Sequence, residues 1–193
     1  MAQAAGSLLA LHARVLAVHL AACPRCRDEL RDLEEVGGAL LAMPPPAAMR
    51  PDALAHTLAR LDDAVRSAPS HAPVITLQAL AIGRWWWLGR GIRLMPLARR
   101  DASGTRLDLL RVTPGIALPA HGHSGPEMAC ILQGGYTDAT GDYAAGDIAE
   151  GDSALDHTPV ASPGPDCICL IATTGRVRAH TWLARLVQPL IGV

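Results

Sequence analysis

Gly115-Ile-Ala-Leu-Pro-Ala-His121-Gly-His123-Ser-Gly-Pro-Glu127, closed by Gly134, is the stretch whose reading decides the fold. It has the form G-x5-H-x-H-x3-E-x6-G, and a further imidazole, His157, comes thirty residues after Glu127. Strand side chains alternate between faces, so His121 and His123 point the same way. Glu127 shares their parity across the turn residues Ser124, Gly125 and Pro126. His157 arrives from another strand, past the turn signals Gly146-Asp147 and Gly151-Asp152. Three imidazoles and a carboxylate are a ligand set for Zn²⁺ or another divalent transition metal such as Fe²⁺, Mn²⁺ or Ni²⁺. Held in register by flanking glycines, they predict a metal inside a small β-barrel.

Around this stretch the chain alternates short apolar runs with Gly, Pro and Asp. Val74 to Ile82, Gly91 to Leu97, Thr105 to Val112, Met128 to Leu132 and Cys167 to Ala172 all read as strands. Such spacing predicts an all-β barrel or sandwich. Upstream the period changes. Leu8, Leu9, Leu11, Val15, Leu16, Val18 and Leu20 make a broad helical stripe, with Ser7 as its expected N-cap. Leu30, Leu33, Val36, Leu40 and Leu41 continue at helical spacing until Pro44-Pro45-Pro46. A third helix is expected from about Pro51 to Ser67 on Leu54, Leu58, Leu61 and Val65. The expected organisation is therefore a small helical bundle over 1–68, a linker over 69–73 and an all-β domain over 74–193.

The helical part carries its own metal signature, His19-Leu-Ala-Ala-Cys23-Pro-Arg-Cys26. His19 and Cys23 stand i, i+4 on one helix face. Cys23 and Cys26 bracket a turn in the C-x2-C spacing that suits thiolate-bound Zn²⁺. A tetrahedral structural site needs a fourth ligand, which the residues do not identify. His12 is too far from His19, about 10 Å along the axis at 1.5 Å per residue, and is expected as a partly exposed helix residue.

With 193 residues, a net charge of −1 and a pI near 6.7, the chain has no global field to favour nucleic acid or anionic lipid. No apolar run reaches the roughly 18 residues a membrane span requires. The N-terminus lacks the basic region of a signal peptide. Five cysteines, two of them in a C-x2-C, fit a reducing compartment better than a disulfide framework. Together these features place the protein in the cytoplasm. Cys167 and Cys169 share a strand face, where a direct disulfide would be strained. They read either as core residues or as redox reporters near the metal. Cys130, of the other parity, is expected to pack away from it. Trp85-Trp86-Trp87 reads as one core Trp with partly exposed neighbours, or as an interface patch.

The Gly115–Gly134 segment resembles the first motif of the cupin superfamily. The second is degenerate, with Gly146-Asp147 for its turn and His157 for its histidine. The resemblance implies a jelly-roll barrel spanning about residues 74–185. H-x3-C-x2-C in a helical domain ahead of a cupin resembles the ChrR-like zinc-binding anti-sigma factors over nearly the whole chain. Ala4 to Leu8, Glu34 to Gly38, the cupin ligands and Cys167-Ile-Cys169 all take part in it. That family's fourth zinc ligand, a His upstream of the first helix, has no counterpart after Met1. The resemblance implies a helical domain that sequesters an extracytoplasmic-function sigma factor, with the faces around Leu8–Leu20 and Leu54–Val65 against it. It implies a cupin needed for the response to oxidants such as singlet oxygen. It implies neither catalysis nor direct nucleic-acid contact and leaves the oligomeric state open, a homo-oligomer included. The rival reading is a metal-dependent cupin enzyme, such as an Fe²⁺ dioxygenase acting on a small organic substrate. It accounts for the barrel ligands but not for the helical metal signature. A zinc-finger regulator binding DNA directly is a third reading, opposed by the near-neutral charge.

Overall fold

The computed structural model describes residues 1–45, 47–67 and 84–180. The expected linker 69–73, the expected strand Val74 to Ile82 and the chain beyond 180 lie outside these residues. Helices α1 (Ala10–Ala22), α2 (Pro24–Ala42) and α3 (Ala53–Ser67) come first. The cap of α1 differs from expectation. Leu9 occupies the N-cap position, and the Ser7 hydroxyl donates instead to the Ala2 carbonyl at 3.3 Å. Residues 1–7 close their own turn, with the Ser7 amide donating to the same carbonyl, and this captures the hydroxyl. Pro24 separates α1 from α2: at the first position of α2 its missing N–H costs nothing, whereas it could not continue α1. Helix α2 runs through Gly37-Gly38 without a break.

Twelve strands follow among the described residues: β1 (Trp86–Gly89), β2 (Ile92–Ala98), β3 (Thr105–Val112), β4 (His121–His123), β5 (Glu127–Gln133), β6 (Gly135–Asp138), β7 (Gly141–Ala144), β8 (Ile148–Gly151), β9 (Asp156–His157), β10 (Val160–Ala161), β11 (Cys167–Thr174) and β12 (Val177–Ala179). A six-stranded sheet has the order β1-β2-β3-β11-β5-β8, and two smaller sheets have the orders β10-β6-β7 and β12-β4-β9. Every pairing is antiparallel. These layers make the expected helical N-terminus and all-β cupin barrel. Gly134 joins β5 to β6 at φ +66°, where a Cβ would stand 2.7 Å from the Asp166 carbonyl oxygen, so the glycine that closes the first motif is sterically required.

The large sheet is buried on both faces, and strand parity sorts its residues. The inner face carries Ile92, Val112, Ile131, Cys167 and Cys169, with Leu110 and Ile171 against them. The outer face carries Met95, Leu107, Leu109, Met128, Cys130, Leu170 and Ala172, and α1 closes it with Leu11 and Val15. Val15 is fully buried there, worth about 1.5–3 kcal/mol relative to exposure. This corrects the expected partner surface, because Leu11 and Val15 of the Leu8–Leu20 stripe are buried against the barrel's own sheet, with Leu8, Leu16 and Val18 packed beside them. His12 corrects a second expectation, being 3% exposed. The faces left open belong to α2, with Val36, Leu40 and Leu41, and to α3, with Leu54, Leu58 and Leu61. Trp85 packs at the margin of the α1 cluster, while Trp86 and Trp87 on the edge strand β1 are exposed. Among the described residues, no helix is long and apolar enough to cross a membrane.

Candidate metal centres

Strands β4 and β9 pair so that His121 stands opposite His157, and His123 follows two residues along β4. The three rings converge through Nε2. His157 Nε2 lies 3.2 Å from that of His121 and 3.3 Å from that of His123. Their far sides explain why. His121 Nδ1 donates to the Pro119 carbonyl at 2.8 Å, and His157 Nδ1 donates to Asp138 at 2.6 Å. Both rings therefore carry their proton on Nδ1 and turn an Nε2 lone pair inward. His123 Nδ1 faces Glu127 Oε2 at 3.4 Å. Lone pairs in such contact repel unless a cation lies between them. Two nitrogens bound at about 2.0–2.1 Å to one tetrahedral ion stand roughly 3.3 Å apart, so the observed spacing fits a divalent metal.

Glu127 lies outside this group of three. Its Oε2 accepts from the Thr173 hydroxyl at 2.7 Å, and burial raises its pKa against that bond. Burial, and secondarily the His157 charge, push His123 down to about 4. Burial also lowers His121. Neutral rings are what a metal needs. Asp138, with its side chain 1% exposed, is raised by burial, but the Thr140 hydroxyl and His157 more than offset this and leave it below the usual value. Sequence reasoning missed Asp138 and Thr173. Neither lies at a motif spacing; only the fold brings β6 behind β9 and β11 beside β5.

The second group forms where α1 meets α2. His19, Cys23 and Cys26 place their ligand atoms within 4.8 Å of one another. His19 Nδ1 donates to the Gly146 carbonyl at 2.7 Å, and its Nε2 is buried without a hydrogen-bond partner. The Cys26 amide and thiol, at the start of α2, hold the Cys23 thiol below its usual pKa, while Cys26 is raised by Cys23. An orphaned imidazole nitrogen beside two thiols, one of them biased toward thiolate, also fits a metal ion. Among the described residues, this group has no fourth member.

Cys167 and Cys169 face the barrel interior with sulfurs 3.6 Å apart. Cys167 is lowered by its neighbour, and Cys169 is raised by Cys167 and by burial. Cys130 packs on the α1 side, where burial raises it to about 11.

The ChrR cupin-like domain family matches residues 75–177. The anti-sigma-E factor ChrR of Cereibacter sphaeroides is 39% identical over 202 aligned residues, which cover 100% of this chain and 94% of that protein. The crystal structure of Rhodobacter sphaeroides SigE in complex with the anti-sigma ChrR superposes with a TM-score of 0.70 at 40% identity, covering 89% of this chain and 93% of that one.

Proposed function

The chain belongs to the ChrR family of anti-sigma factors, and on that premise we propose that it sequesters an extracytoplasmic-function sigma factor and releases it on an oxidative signal such as singlet oxygen. The full-length similarity to an anti-sigma factor crystallised with its sigma factor carries this reading. The exposed apolar residues of α2 and α3 supply a surface for the partner. The role is regulatory rather than enzymatic, and its place is the cytoplasm, where sigma factors meet core RNA polymerase.

His19, Cys23 and Cys26 hold Zn²⁺ in the helical part. His121, His123 and His157 would hold Zn²⁺ or another divalent transition metal in the barrel, with Glu127, beside His123 but outside the converging group, as the fourth ligand. A bound ion there would supply the positive charge that the converging imidazole nitrogens face. The protein's own residues supply the rest. Asp138 and the Pro119 carbonyl fix two rings, and Thr173 fixes Glu127. Glu127 and Thr173 face the barrel site, whereas their chain neighbours Met128 and Ala172 lie under α1. A change at Glu127 is thus one peptide bond from the helix that closes the outer sheet. Cys167 and Cys169 are redox reporters on the same inner wall. Raising free sigma a hundredfold requires binding to weaken by about 2.7 kcal/mol.

Affinity capture of the full chain from its own cells, with mass spectrometry of what is bound, tests the reading. Stoichiometric recovery of a sigma factor is the expected result. Recovery of none, from cells that express one, would overturn it.

A further inference from the structure

The Nδ1 of His19 finds its acceptor 127 residues away, in the barrel. A carbonyl only accepts, so the bond to Gly146 fixes the proton on Nδ1 and leaves the lone pair on Nε2. That Nε2 is buried and unpartnered, and it belongs to the group formed with Cys23 and Cys26. The carbonyl itself is held tightly. Ala145-Gly146 turns β7 into β8, with the Asp147 amide donating to the Ala144 carbonyl at 2.9 Å. The Asp147 carboxylate accepts the Ala144 amide at 2.8 Å. The turn is also clamped to β5: the Gly146 amide donates to the Ile131 carbonyl at 2.8 Å, and the Ile131 amide donates to the Asp147 carbonyl at 3.0 Å.

We propose that this β7–β8 turn is an outer-sphere part of the N-terminal metal site, with the Gly146 carbonyl as the positioning group that aims His19 Nε2 at the ion. A metal-bound imidazole is oriented by what its other nitrogen donates to. Here that partner comes from a different part of the fold. The affinity of the His19, Cys23 and Cys26 site therefore depends on the conformation of the barrel. The line of dependence runs along β5, which begins at Glu127 and carries the clamp at Ile131. The inference rests on reading those three residues as metal ligands and is independent of sigma binding.

The test uses the full chain, ¹⁵N-labelled at histidine and loaded with ¹¹³Cd²⁺. The expected spectrum has cadmium coupled to His19 Nε2 and an exchange-protected Nδ1 proton. Coupling to Nδ1, or no metal uptake at Cys23 and Cys26, overturns the proposal. Two variants measure the energetic link. A Cβ at Gly146 meets nothing within 4 Å, yet its φ of +97° disfavours any L side chain, so Gly146→Ala shifts the turn without a clash. Asp147→Ala removes the internal brace. Zn²⁺ affinity at the N-terminal site, by chelator competition, is expected to fall about tenfold or more in at least one of them. Parental affinity in both would overturn the proposal. Neither readout involves the partner, so the sigma-capture experiment fails or succeeds separately.

Discussion

His157 cannot rotate without giving up the bond from its Nδ1 to Asp138, and this is why its Nε2 faces His121 and His123. Asp138→Ala is expected to lower barrel-metal affinity about 10- to 100-fold, by chelator competition, while all the ligating residues remain. His123→Ala is expected to remove the barrel metal, seen as lost metal per chain, and to blunt oxidant release while sigma binding is kept. A full oxidant response in that variant would refute the sensor role. Protonation gives a third check. His123 is lowered from 6.5 to about 4 in the folded chain, so between those values the unfolded chain binds the extra proton. The metal-stripped protein should lose stability as pH falls through that window, with no further loss from this ring below it. Urea midpoints at pH 7 and 4.5 measure this, and equal midpoints would contradict it. His121 and His123 were legible in sequence because residues that converge from one strand must keep parity. Asp138 and the Gly146 carbonyl were not, since one joins the site through tertiary pairing and the other is a backbone atom with no residue signature.

Among the elements, α1, apolar nearly all round, and α3, apolar on one side, meet opposite fates. Periodicity says that a face will be covered but not by what, so sequence reasoning gave both to a partner. The structure gives α1 to the barrel and leaves Leu54, Leu58 and Leu61 of α3 exposed. Leu11 is 7% exposed and Leu58 is 53% exposed. Leu11→Ala is expected to cost about 2–4 kcal/mol of stability in urea unfolding. Leu58→Asp should change stability by no more than about 0.5 kcal/mol and weaken capture of the sigma factor. If Leu58→Asp binds its sigma factor as the parent does, α3 does not contribute to the interface. Ser7 shows the same limit at smaller scale: its hydroxyl bonds within the turn over residues 1–7 rather than capping α1.

For the whole molecule, the six-stranded sheet is a wall shared by two neighbours, a cluster of imidazoles on one side and a helix on the other. Hydrogen exchange should show this. Amides of α1 are expected to be protected as strongly as those of β5 and β11, and those of α2, which buries no residue, far less. Weak protection throughout α1 would show that it opens independently of the barrel. The order of helices then strands was readable from the change of period along the chain, but the wrap of the first helix onto the six-stranded sheet was not. The wrap also bears on inheritance. The helix that closes the large sheet is encoded ahead of Cys23 and the described strands after residue 84, so a recombination event that exchanges only one half delivers a barrel with a bald, oily side, prone to self-association. Shuffled descendants that survive must carry the codons for Leu11 and Val15 along with those for Met128, Leu170 and Ala172. The open leucines of α2 and α3 are under no such constraint and can drift toward a different partner.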